Sequence, residues 1–153
     1  MDGVTLRVAT AADADAIGVV THEAYLDWVE VIGREPLPMT VDYAEAVAAH
    51  RFDLLFVGPR LVALIETTPE EGWLLIVNVA VLPTFQGRGY GARLLRLAER
   101  LAAEAGLRGT RLYTNQRFET NLRLYAGLGY VVEREETSER GVTVHMRKDR
   151  PAG

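Results

Sequence analysis

The chain has 153 residues, enough for one packed core and too few for two ordinary domains. Nearly half of them are hydrophobic and a quarter charged, the balance of a globular protein, and no apolar run reaches membrane-spanning length. A net charge of −4 argues against nucleic acid and membranes as partners, and the lack of cysteine excludes disulfides, thiolate zinc sites and a cysteine nucleophile.

Met1 to Thr5 holds no basic stretch leading into an apolar one, so no secretory leader is expected and the cytoplasm is the expected location. Val4, Leu6 and Val8 alternate with polar neighbours and predict a strand. Thr10 can cap a helix with an acidic first turn at Asp13 and Asp15, running to about Ile32. Gly33-Arg34-Glu35-Pro36-Leu37-Pro38 breaks it, and Thr40 can cap a second helix reaching about His50. Leu54 to Val57 and Leu61 to Glu66 predict a hairpin around Gly58-Pro59-Arg60. Trp73 to Val81 is a fourth strand, and its near-continuous hydrophobicity predicts burial on both faces. A glycine-rich turn follows, then a helix from about Gly89 to Ala105 with an apolar face at Leu94, Ala98, Leu101 and Ala105. Gly106 or Gly109 ends it. Thr110 to Thr114 predicts a strand, Thr120 to Leu128 a short helix stopped by Gly129, and Tyr130 to Glu136 with Val142 to Arg147 a closing pair of strands. The order β-α-α-β-β-β-α-β-α-β-β predicts an α/β fold over residues 1–150, a mixed sheet with helices on both faces, and a frayed tail at 151–153.

His22, His50 and His145 lie far apart and show no metal-ligand spacing, so no metal site is expected. Arg88, Arg93, Arg96 and Arg100 form a basic island against the single Glu99. An anionic ligand and a solvated helix face explain that island equally well.

The turn Gln86-Gly87-Arg88-Gly89-Tyr90-Gly91-Ala92 joins the fourth strand to its helix. Glycines let a backbone approach a ligand closely, and the free N–H groups of a first helical turn bind phosphate oxygens. The spacing is neither the dinucleotide fingerprint nor a mononucleotide P-loop, which needs Gly-Lys-Ser/Thr. Glycines kept for tight packing are the plainer alternative, and three of them between a buried strand and an arginine-bearing helix favour an anion site.

Asn121 and Tyr125 stand four apart on one helix face. A phenol beside a leaving thiolate can donate its proton as a general acid. Taken alone, a tyrosine at helical spacing from Leu122 and Leu128 is more often a core residue.

Val79 to Leu95, Leu112 to Asn115 and Asn121 to Tyr130 together resemble the GNAT acetyltransferase superfamily. Gln86, Gly89 and Gly91 fit its (Gln/Arg)-x-x-Gly-x-(Gly/Ala) motif, and Asn121, Tyr125, Gly129 and Tyr130 fit its Asn-x-x-x-x-Tyr-x-x-x-Gly-(Phe/Tyr) signature. The element order matches over essentially the whole chain. The resemblance implies acetyl-CoA as co-substrate. It implies that the backbone of Val79, Ala80 and Val81 pairs with the pantetheine arm, that the amides of Gly87 to Ala92, Arg88 and Tyr90 included, hold the pyrophosphate, and that Asn121 contacts the CoA arm. Tyr125 would protonate the departing thiolate, with a strand N–H stabilising the oxyanion while an amine attacks directly.

Many relatives carry a glutamate as base on the fourth strand. Asn78 stands near that position here and takes no proton, which leaves Glu66, Asp42 and Glu119 as candidates by residue type alone. In the superfamily the acceptor site lies where the fourth and fifth strands splay apart, under the first two helices. That implicates Trp28, the Gly33 to Met39 loop, Tyr43, Asn78 and Asn115, and Pro36 to Tyr43 looks like a loop of a bacterial subgroup of uncertain substrate. Asp42 and Tyr43 line the acceptor pocket on one reading; a helix-capping Asp beside a packed Tyr is an equal alternative. Glu23, Asp27 and Glu30 form an acidic stripe that reads more readily as a solvated face. The expected partner is a small-molecule or peptide amine, and relatives often form homodimers. A non-catalytic acyl-CoA sensor on the same fold is the alternative function, supported by Asn78; an unrelated nucleotide-binding protein is a third.

Overall fold

The computed structural model describes residues 3–151; Met1, Asp2, Ala152 and Gly153, two of them in the expected tail, lie outside the described residues. Seven strands form one sheet: β1 (Val4–Val8), β2 (Arg51–Val57), β3 (Arg60–Glu70), β4 (Trp73–Val81), β5 (Gly109–Asn115), β6 (Val131–Ser138) and β7 (Gly141–Asp149). Their order is β1-β2-β3-β4-β5-β7-β6. Every neighbouring pair is antiparallel except β4 and β5. A parallel pair needs a crossover, which the helix α4 (Tyr90–Glu104) supplies.

β2 and β3 extend beyond their apolar cores. Arg51 and Asp53 project from one side of β2, and their charges pair with each other at 2.9 Å, so polar residues sit in the ladder at little cost. The most buried stretch of the sheet is β3, where Val62, Ala63, Leu64 and Ile65 are fully enclosed. The expected two-faced burial of β4 is corrected: Leu74, Ile76, Asn78 and Ala80 are buried, while Leu75, Val77, Val79 and Val81 are half-buried.

The expected single helix to Ile32 is two helices, α1 (Ala14–Tyr25) and α2 (Trp28–Ile32). Thr10 opens a short 3-10 turn rather than α1 itself; its N–H donates to the Asp13 carboxylate at 2.8 Å, and Arg7 clamps the same carboxylate at 2.8 and 2.9 Å. Gly33, with φ 77°, ends α2. The next helix, α3 (Tyr43–Ala49), starts later than its predicted cap at Thr40. Pro36 and Pro38 set a 3-10 turn over Leu37–Thr40, Val41 is extended, and Asp42 is the cap, accepting from the N–H groups of Ala44 and Glu45. On α4 the buried face is Leu94, Leu95, Ala98 and Ala102; Ala105 is exposed beyond the end of the helix. The helix α5 (Glu119–Gly127) precedes Gly129, which has φ 98°.

Helices cover both sides of the sheet. Asn78 and Val81, three apart on one strand, point to opposite faces. Asn78 meets Tyr25 of α1, and Val81 lies beside Gly91 of α4.

One irregularity opens the sheet. Glu66 pairs with Asn78, but Thr67 pairs with Ile76, so Val77 is an extra residue in β4. Such a bulge bends its strand. β4 pairs with β5 only from Leu74 to Ile76, and beyond the bulge the two strands part.

Candidate functional site

The gap between β4 and β5 leads into a cavity of about 550 Å³. Its floor is Ile76 to Val79 and Leu112 to Asn115, and α5 closes one side with Asn121 and Tyr125. Tyr25 and Tyr43 line it from the helices, the Arg34 to Val41 segment covers it, and Arg140, Thr143 and His145 come from the β6–β7 hairpin.

Strand geometry decides which backbone groups of β4 face the gap. The N–H of Leu82 donates to the Val62 carbonyl, so Leu82, Ala80 and Asn78 turn their backbone polar groups toward β3. Val79 and Val81 turn theirs the other way. Two side chains meet their carbonyls there: the Tyr25 hydroxyl lies 3.2 Å from Val79 O, and Gln86 Nε2 donates to Val81 O at 3.1 Å. The Val79 and Val81 N–H groups point along the same open edge. Ala80 is corrected: its backbone is turned to the β3 ladder, so it offers a passing chain no partner.

Gln86 to Ala92 lies beyond the cavity, at the end of β4. Gly87 (φ 79°) and Gly89 (φ 84°) are left-handed, and a Cβ at either would meet nothing within 4 Å, so conformation and not crowding requires glycine. The first intrahelical bond of α4 runs from Arg93 N–H to Gly89 O, which leaves the amides of Tyr90, Gly91 and Ala92 without an intrahelical acceptor. Left-handed glycines ahead of a helix N-terminus make an anion-binding concavity. The Arg88 guanidinium stacks on the Phe85 ring at 4.8 Å, with Arg60 over the same ring at 5.3 Å.

Tyr125 is buried on α5, four residues from Asn121, and both line the cavity. Burial pushes the Tyr125 hydroxyl up to about 12, so it keeps its proton throughout the neutral range and is available as a donor. Asn78 is 4% exposed. Its Oδ1 accepts from the Tyr25 hydroxyl at 2.8 Å, and its Nδ2 has no partner among the described residues. Tyr43 lines the cavity, with its hydroxyl donating to Pro38 O at 2.7 Å and held up at about 12 by burial. Asn115 also lines it, though its amide holds loops: Nδ2 donates to Arg140 O and Oδ1 accepts from Arg117 N–H.

Two expected acceptor residues stand outside the lining. Trp28 packs edge-on against Phe118, 4.8 Å between rings, and supports the wall from behind. Asp42 caps α3, where its carboxylate is committed to two backbone amides. Two residues not expected from the sequence belong to the wall or its support: Tyr25, which fixes Asn78, and His50, whose Nδ1 lies 2.7 Å from the Glu66 carboxylate. No local pattern marks either, since their partners are 53 and 16 residues away. Among the described residues no three His, Asp or Glu side chains are grouped to hold a metal, and no helix is long and apolar enough to cross a membrane.

The family model described as "Acetyltransferase (GNAT) family" matches residues 19–130. No curated protein matches the sequence. Solved structures of similar fold include the PaiA N-acetyltransferase of Thermoplasma acidophilum in complex with coenzyme A, at 17% identity and TM-score 0.80, covering 95% of this chain and 98% of that one. The ribosomal-protein-S18-alanine N-acetyltransferase of Escherichia coli is similar at 16% identity and TM-score 0.76, covering 98% and 96%. YncA of Salmonella typhimurium, solved with its cofactor acetyl-CoA, is similar at 18% identity and TM-score 0.73, covering 99% and 96%. At these identities the likeness is one of fold.

Proposed function

This chain belongs to the acetyltransferase (GNAT) family, and from that premise we propose that it moves an acetyl group from acetyl-CoA to a small-molecule or peptide amine that attacks the thioester directly. One observation carries the reading. The open edge of β4 runs from a cavity holding Asn121 and Tyr125 to a glycine turn with free helical amides. A diphosphate on that turn would set the pantetheine arm along Val79 and Val81 and bring the thioester beside Tyr125. The Val79 N–H points into the gap, available to a developing oxyanion. Asn121 faces the arm, and the Tyr125 hydroxyl protonates the departing thiolate. Relatives of similar fold solved with coenzyme A and acetyl-CoA support this donor. The cavity volume of about 550 Å³ suits a small amine or one side chain of a peptide. We place the reaction in the cytoplasm, with no nucleic acid or membrane partner, in keeping with the net charge of −4.

Calorimetry with acetyl-CoA against NAD and ATP tests the donor site, and release of free thiol across a panel of primary amines tests transfer. Tight binding of acetyl-CoA with no turnover on any amine would instead favour the sensing module. Tyr125→Phe is expected to lower kcat by about a hundredfold and leave acetyl-CoA affinity nearly unchanged; equal turnover of the two proteins would remove Tyr125 as the acid.

A further inference from the structure

The general base that Asn78 cannot supply is present one strand away. Glu66 of β3 pairs directly across from Asn78 of β4, so the two side chains stand side by side on one face of the sheet. Both line the acceptor cavity. Asn78 offers only an amide, one end tied to Tyr25 and the other an unpartnered donor. Glu66 offers a carboxylate, 3% exposed, whose hydrogen-bonded partner among the described residues is His50 at 2.7 Å. His50 ends α3 and immediately precedes β2, which brings its ring beside the β3 residue opposite Phe52. Its side chain is 32% exposed and does not line the cavity. Glu66 therefore bridges the cavity to a residue that reaches solvent.

We propose that Glu66 takes the proton from the acceptor amine and that His50, donating from Nδ1 to its other oxygen, positions the carboxylate. The assignment rests on the acetyl-transfer reading above. An ammonium acceptor sheds two protons in becoming an amide. One passes to the free oxygen of the Glu66 carboxylate and leaves to water that enters the open cavity after the products depart. The freed amine lone pair forms the N–C bond, the C–S bond breaks, and its electron pair stays on sulfur. The second proton repays the one that Tyr125 gives to the thiolate. Nothing else is consumed, and each group returns to its starting state.

The surroundings suit this role. Burial holds the Glu66 carboxyl above the ordinary carboxylate range, against the opposing pull of His50, which strengthens it as a base. Its charge in turn adds to the burial that raises the nearby Tyr43 and Tyr113 hydroxyls, which therefore stay uncharged through neutral pH. Elsewhere on the cavity wall Glu136 faces His145 at 3.2 Å, and Arg34 and Arg140 bond to backbone carbonyls.

The test is a pH profile of kcat/KM for the amine that the wild type acetylates best, with Glu66→Gln and His50→Gln beside it. Gln preserves the shape of Glu66 and can still bond His50, and calorimetry with acetyl-CoA checks that each variant is folded. Below the pKa of the amine, Glu66→Gln is expected to lose about a hundredfold. The deficit should shrink as the pH approaches that pKa, because solution then supplies the neutral amine. A weakly basic amine from the panel, already neutral at pH 7, should show little deficit. His50→Gln should lose severalfold over the same range. A deficit that is constant with pH and amine basicity means a structural role and overturns the assignment, as does a Glu66→Gln protein equal to wild type. His50→Gln equal to wild type at every pH overturns the positioning role of His50. A wild type that binds acetyl-CoA and acetylates no amine overturns the transfer reading itself, and this assignment with it.

Discussion

Two glycines of the turn that opens α4 differ in what they require. Gly89 is left-handed at φ 84°, a conformation costing an ordinary residue roughly 1–2 kcal/mol. Gly91 lies inside the first turn of α4, and a Cβ there would meet Leu124 at 3.5 Å and Val81 at 3.9 Å, ordinary contacts. Gly89→Ala is thus expected to weaken acetyl-CoA binding about fivefold or more, and Gly91→Ala to bind nearly as wild type; calorimetry separates them. This was the part of the site most legible in the sequence, because left-handed backbone leaves a visible demand for glycine. Asn121 and Tyr125 were legible for a similar reason, helical spacing alone setting them on one face. Tyr25 and His50 were not: each acts through a partner distant in the chain, and a tyrosine on an amphipathic helix reads as core until Asn78 is seen beneath it. Glu66 was visible only as a residue of the right type, since its meaning comes from the register that sets it opposite Asn78.

At the scale of elements, caps decided where helices begin, and two of them give tests. Asp42 accepts from two backbone amides of α3. Asp42→Ala should cost about 1 kcal/mol in urea unfolding while leaving KM for the amine unchanged; a rise in KM would return Asp42 to the pocket. Asp13 is held well below the ordinary carboxylate range, first by its hydrogen bonds from Arg7 and then by the Thr10 N–H. A carboxylate depressed in the folded state adds stability above its unfolded pKa and loses that contribution as pH falls through the folded value. Asp13→Asn should therefore lower Tm at neutral pH, with the gap to wild type closing below the carboxylate range. Strand β4 was legible to the residue because its run from Trp73 to Val81 is apolar at every position but Asn78. Its bulge was not. Val77 is neither glycine nor proline, and nothing local separates it from Ile76; it is extra only because Asn78 keeps register with Glu66 while Ile76 keeps register with Thr67.

Over the whole molecule, the order of elements foretold a mixed sheet, but its most consequential property is where it fails to close. β4 and β5 are central and parallel, joined by three residue pairs before they part. A gap inside a sheet exposes backbone groups that would otherwise need partners, so something must brace the structure around it. Part of the brace is three arginines that reach across the mouth to backbone carbonyls: Arg140 to Glu35 at 2.9 Å, Arg34 to Glu139 at 3.1 Å, and Arg117 to Val31 at 3.1 Å. They tie the loop after α2 to the β6–β7 turn, and α2 itself to the segment before α5. Asn115 anchors the same turn from below through the Arg140 carbonyl. The clasp thus covers the end of the cavity proposed to take the acceptor and leaves the glycine turn, at the far end of β4, untouched. Arg140→Ala removes one bond of this set, worth about 1 kcal/mol. If the clasp organises the acceptor pocket, KM for the amine should rise about fivefold, amide exchange should quicken over residues 33–40, and acetyl-CoA affinity should stay at its wild-type value. A loss of acetyl-CoA binding equal to the rise in KM would mean that the two ends of the cavity are coupled and that the clasp holds the whole gap rather than one mouth of it.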